Sequence, residues 1–130
     1  MALVVGISLT TMLIGCTSAD KIQKEPLDAG HERIFVADNA TVIDAARSAI
    51  DDVGLSLISE NSARDGTMFV AYRTVTAFSW GEVVRVFVEP VAEGTAVRII
   101  SEKMLSTNIT AKDFTSDIFE RIDAILRANT

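Results

Sequence analysis

The chain has 130 residues, 48% of them hydrophobic, a formal net charge of −6 and one cysteine. The negative balance, with no cluster of Lys and Arg to offset it, argues against nucleic acid and anionic lipid surfaces as partners. A single cysteine excludes an internal disulfide, so the fold must be held by its core.

Ala2 to Gly15 is apolar or small and uncharged, then gives way to Thr17, Ser18, Ala19, Asp20 and Lys21. At about 14 residues this stretch is shorter than the roughly 20 needed to cross a hydrocarbon core, and it has the build of a secretory signal peptide over residues 1–15. Leu13-Ile14-Gly15-Cys16 resembles the lipobox of bacterial lipoproteins. That resemblance implies cleavage before Cys16, a diacylglycerol on its sulfur and an acyl chain on its amino group, enough for stable anchoring. The Lys or Arg usual ahead of the apolar run is missing. Thr17 after the cysteine resembles the pattern sorted to the outer membrane, so the expected location is the bacterial envelope, outer rather than inner membrane, with the domain in the periplasm.

From Thr17 to Glu32 the chain is polar, interrupted by Pro26 and Gly30, and lacks helical or strand periodicity. It reads as a flexible tether over residues 16–32, with a root-mean-square reach of roughly 20 Å. One domain over residues 33–130 follows.

Arg33 to Ala37 is a short strand ended by the helix-capping residues Asp38 and Asn39. From Ala40 to Val53, Val42, Ala46, Ala49, Ile50 and Val53 form one helical stripe, with Gly54 as the stop. Leu55 to Glu60 reads as a second strand, Asn61 to Gly66 as a turn, and Thr67 to about Thr76 as a third strand. Glu82 to Glu89 sets Val84, Val86 and Val88 against Val83, Arg85 and Phe87 on alternate sides, and Glu93-Gly94 turns it into a hairpin with Thr95 to Glu102. The last element is a helix from about Ala111 to Ala128 with its stripe at Ala111, Phe114, Ile118, Ile122 and Ile125, opened by Thr110 and Asp113 as a capping box. Asp117 with Arg121, and Asp123 with Arg127, are spaced to pair along it.

The order β-α-β-β-β-β-α, with connections too short for parallel crossovers except across the first helix, predicts an α+β fold: an antiparallel sheet of about five strands carrying two helices on one face. This order, the closing amphipathic helix and the lipobox resemble the helix-grip domains of the lipoprotein component C of the outer-membrane β-barrel assembly machine, and small lipoproteins of similar build. The likeness covers about Arg33 to Ala128 as a pattern of elements, and the chain has one such domain where that component has two.

Little in the sequence points to chemistry. His31 is the only histidine and sits in the tether, without the Cys or His partners a metal site or triad needs. No serine has a G-x-S-x-G context, and neither phosphate-binding glycine motif occurs. The chain is therefore read as a non-enzyme with no cofactor and no metal. Asp51-Asp52, near the disfavoured end of the first helix, is an acidic spot that Arg47 and solvent also account for. Arg73, Arg85 and Arg98 lie on successive strands; register decides whether they form a basic stripe or separate solvent-facing arginines.

Phe78 and Trp80, in the connection Ala77 to Gly81, either fold onto the core or are displayed as a partner contact. Two functions stay open. One is a lipid-anchored accessory module binding an envelope protein through a sheet edge or the Phe78-Trp80 connection. The other is a carrier or sensor for a small apolar ligand or lipid, in a cavity lined by Phe87, Ile100, Phe114 and Ile118.

Overall fold

The structure is a computed structural model that describes residues 22, 24–27, 29–73, 81–103 and 113–130. Its elements run β1 (His31–Phe35), α1 (Asn39–Asp52), β2 (Ser56–Ala63), β3 (Gly66–Arg73), β4 (Glu82–Val91), β5 (Gly94–Lys103) and α2 (Thr115–Ala128). The sheet is antiparallel with strand order β1-β5-β4-β3-β2, so β2 to β5 form a meander and, among the described strands, β1 alone pairs with one distant in sequence. The expected α+β order is the observed one.

Alternation in β4 decides which side the helices cover. Val84, Val86 and Val88 join Phe69, Ala71, Val97, Ile99 and Phe35 in a core closed by Val42, Ala46, Ala49 and Ile50 of α1 and Ile118, Phe119 and Ile122 of α2. The alanines of α1 let its axis approach the sheet, and the larger residues of α2 fill the rest. Phe35 and Phe119 meet with centroids 6.5 Å apart, tilted. The two helices are also tied at the surface, where Arg121 Nε lies 2.7 Å from Asp52 Oδ2.

Local chemistry explains where the helices start and stop. Asp38 caps α1, its carboxylate accepting from the Thr41 amide at 3.3 Å and from the Thr41 hydroxyl. These bonds hold its pKa below the ordinary aspartate value. The C-terminus of α1 is a Schellman motif: Leu55 N–H donates to Ile50 O at 3.1 Å and Gly54 N–H to Asp51 O at 3.0 Å. Gly54 has the left-handed φ of +89° that the motif requires. At the other helix, the Asp113 carboxylate accepts from the Thr115 amide at 2.9 Å, and α2 begins at Thr115, after the sequence expectation of Ala111. Thr110 and Ala111 lie outside the described residues.

Three element bounds differ from expectation for identifiable reasons. Asn61, Ser62 and Ala63 belong to β2, because the hairpin to β3 turns on Arg64 and Asp65 alone, with Arg64 at φ +55°. Pro90 lies inside β4, paired with Thr95, but beyond Val88, where pairing to β3 ends, so its missing N–H breaks no bond to β3. β1 begins at His31, so His31 and Glu32 pair with Ile99 and Arg98.

Gly94 opens β5 at φ +147°, and a Cβ there would stand 2.2 Å from the Phe35 carbonyl oxygen. Next to it, the Thr95 hydroxyl donates to Ala37 O at 2.8 Å, closing the end of β1 onto β5. Gly94→Ala is expected to cost about 2–3 kcal/mol through the strained φ and the displaced β1. Hydrogen exchange is the check: amides of β1 should lose protection before those of β3 and β4, and equal loss in all strands would contradict the assignment.

Candidate interaction surfaces

The sheet face away from the helices is also apolar at its centre. Val70, Val83 and Phe87 are buried there, Ile100 is partly buried, and Ile22 packs against Val70, Val83 and Ile100. Amid them stands Arg85, only 1% exposed. A buried guanidinium is costly unless hydrogen-bonded, and this one donates from Nη1 to Ile22 O at 3.1 Å and Glu25 O at 2.6 Å, and from Nη2 to Pro26 O at 2.6 Å. Burial lowers its pKa from the ordinary arginine value, opposed by the nearby charge of Glu25. Pro26 O also accepts from Ala29 N at 2.9 Å, turning the chain toward β1.

This corrects two expectations. The tether read over residues 16–32 includes residues that are seated on the sheet (Ile22, Glu25 and Pro26) or paired within it (His31 and Glu32). Arg85, read as one of three solvent-face or stripe arginines, is buried. The signal was present in β4, where Val83, Val84, Val86, Phe87 and Val88 make both faces apolar, a pattern of a strand covered on both sides.

The arginine stripe does not form. Arg73 pairs in register with Glu82 and so faces the helices, whereas Arg85 and Arg98 face the other way. Arg98 is engaged by Glu32 across β1 and β5. Arg73 grips the wholly buried Glu82 with two donors, Nε at 2.5 Å and Nη2, and its guanidinium carbon stands 5.5 Å from the Phe114 ring centroid. Phe114 N–H in turn donates to the Ser101 hydroxyl at 3.2 Å. Arg73 and Glu82 bracket the connection that carries Phe78 and Trp80, so its base is clamped; Phe78, Trp80 and Cys16 themselves lie outside the described residues.

The four residues proposed to line a ligand cavity do not converge. Phe114 and Ile118 belong to the core beneath the helices, while Phe87 and Ile100 share the opposite face with Val83 and Arg85. Phe87 is capped instead by Arg64, 5.5 Å from its centroid, which also pairs with Glu89 at 2.8 Å. Asp52 pairs with Arg121, and Arg47 pairs with Asp44 and Glu60 in place of Asp51. His31 is exposed at the start of β1. Its charge helps lower the pKa of Asp113, behind the larger effect of the Thr115 hydrogen bond. Among the described residues, no group of three or more His, Cys, Asp or Glu is placed to hold a metal ion, and no helix is long and apolar enough to cross a membrane.

The two sheet edges differ. β1 is five residues long and carries His31, Glu32 and Arg33, the short, charged kind of edge that resists further pairing. β2 is eight residues long with one charged residue, Glu60, which is tied to Arg47 at 2.5 Å. A register shift between Leu57 and Ser59 leaves Leu57 and Ile58 side by side at 42% and 46% exposure. Neither residue was singled out from the sequence, because an alternation of Ser and Leu reads as an ordinary half-buried strand.

No protein-family model and no curated protein matches this chain.

Proposed function

We propose that this chain is a lipid-anchored lipoprotein of the bacterial envelope whose single domain is a non-catalytic interaction module, and that it meets an envelope protein by strand addition along β2. The observation that carries the proposal is the β2 edge: eight residues, last in the order of the described strands, with Leu57 and Ile58 exposed together. An added strand gains affinity from main-chain hydrogen bonds and specificity from such side chains. The anchor is supported by Leu13-Ile14-Gly15-Cys16 at the end of the uncharged apolar segment. The outer membrane is the favoured location, on Thr17.

A photoreactive residue in place of Ile58, with one in place of Ile34 on β1 for comparison, tests this in the intact envelope. Ile34 is 44% exposed, so the two positions are matched in access. One discrete crosslinked partner from position 58, weak or absent from 34 and lost in Cys16→Ser, is the expected outcome. Equal diffuse labelling from both positions would sink the β2 assignment.

A further inference from the structure

The contact between Arg85 and the N-terminal segment does more than complete the sheet's second face. Ile22, Glu25 and Pro26 offer three carbonyls to one guanidinium, and Ile22 is wholly buried on Val70, Val83 and Ile100. The described residues Ile22 and Lys24 have helical backbone, and carbonyls at the end of helical backbone carry partial negative charge. A cation fits there better than a neutral donor. Arginine fits better than lysine, because its planar fork reaches separated acceptors at once.

We infer that Arg85 is a clasp that holds a strap of Ile22, Glu25 and Pro26 on the sheet and thereby sets how far the domain stands from the lipid on Cys16. The inference rests on the lipoprotein reading above. Between Cys16 and Ile22 lie only six steps of chain, against sixteen between Cys16 and Glu32 if the whole segment were free. Each residue of the strap that lifts off lengthens the connection. With the clasp closed, Ile22 stays seated on Val70, Val83 and Ile100 of the sheet's second face.

The test uses the full chain produced in its envelope, purified with its lipid and placed in phosphatidylethanolamine–phosphatidylglycerol vesicles. Two variants are compared with the wild type: Arg85→Met removes the clasp, and Ile22→Asp lifts the strap while leaving every sheet residue unchanged. Trypsin cleavage after Lys24 is followed in time, with cleavage after Arg47 and Arg64 as the measure of global unfolding. Cleavage after Lys24 is expected to be at least tenfold faster in both variants, with the other two sites unchanged. If Arg85→Met opens all sites together, Ile22→Asp decides. Wild-type rates after Lys24 in the folded variants would overturn the clasp.

The stand-off is read separately, by energy transfer from a dye on Asp65→Cys to acceptor lipids in the same vesicles. Transfer is expected to fall in both variants, and unchanged transfer would overturn the spacing role. Mass measurement of the peptide beginning at Cys16 keeps the two ideas apart. An unmodified Cys16 defeats the lipoprotein reading while the protease rates still judge the clasp, and a lipidated Cys16 with equal rates defeats the clasp alone.

Discussion

Arg73→Ala is expected to destabilise the domain by about 3 kcal/mol, at the lower end for breaking a buried ion pair because the Arg73 side chain keeps 29% exposure. Glu82 has no exposure at all, so its carboxylate cannot recover by hydration what it loses when the two-pronged guanidinium goes. The contact of the guanidinium with the Phe114 ring is lost as well. The double variant Arg73→Met with Glu82→Leu should regain most of the loss, since apolar side chains of similar volume remove the charge that needs a partner. Urea denaturation of the two single variants and the double variant gives the coupling directly. Strict additivity would show that the pair does not act as a unit. Because these residues flank the Phe78-Trp80 connection, tryptophan emission recorded in the same titrations reports whether releasing its base alters the surroundings of Trp80.

The other large effect lies at the centre of the core. Phe69 is fully buried on β3 and opposite Val86, and the Arg47 guanidinium carbon stands 5.9 Å from its centroid. Phe69→Ala should cost about 3–5 kcal/mol, as the removed ring leaves a cavity beneath α1 that its alanines are too small to fill. For a domain of this size that is a fall in Tm on the order of 15 °C. Thermal melts of the variant and of Phe69→Leu settle it. Leucine should restore much of the loss by volume, and a similar Tm for alanine and wild type would mean that the ring is not the keystone of the core.

Most of the architecture was legible because each element advertises its burial through its period. The stripe at Val42, Ala46, Ala49 and Ile50 leaves no choice but a helix on a surface, and α1 begins and ends within a residue of its caps. The hairpin of β4 and β5 was legible for the same reason, and so was the pairing of Asp123 with Arg127, which stand 2.7 Å apart. Failure came where a residue's partner is remote in sequence or polar in kind. Arg85 was misread because its acceptors are main-chain carbonyls of Ile22, Glu25 and Pro26, and carbonyls leave no trace in side-chain composition. The run Asn61-Ser62-Ala63 looked like part of a turn, yet an edge strand needs only β3 on one side and tolerates polar residues on the other. The four ligand-cavity residues were grouped by hydrophobicity without register, and register divides them between two faces.

Strand order also governs when this molecule can become itself. β2 through β5 are neighbours in sequence and can pair as each emerges, whereas His31 must find Ile99 and Phe35 must find Thr95. A chain delivered N-terminus first therefore presents β1 and the strap long before their docking surface exists, and the loop between them must be closed at an entropic cost that local hairpins escape. Ile22, Glu25 and Pro26 can dock only after β4 has presented Arg85, and β1 only after β5 has formed. Holding back β1 and the strap would cost the meander nothing, and their release would coincide with completion of the sheet.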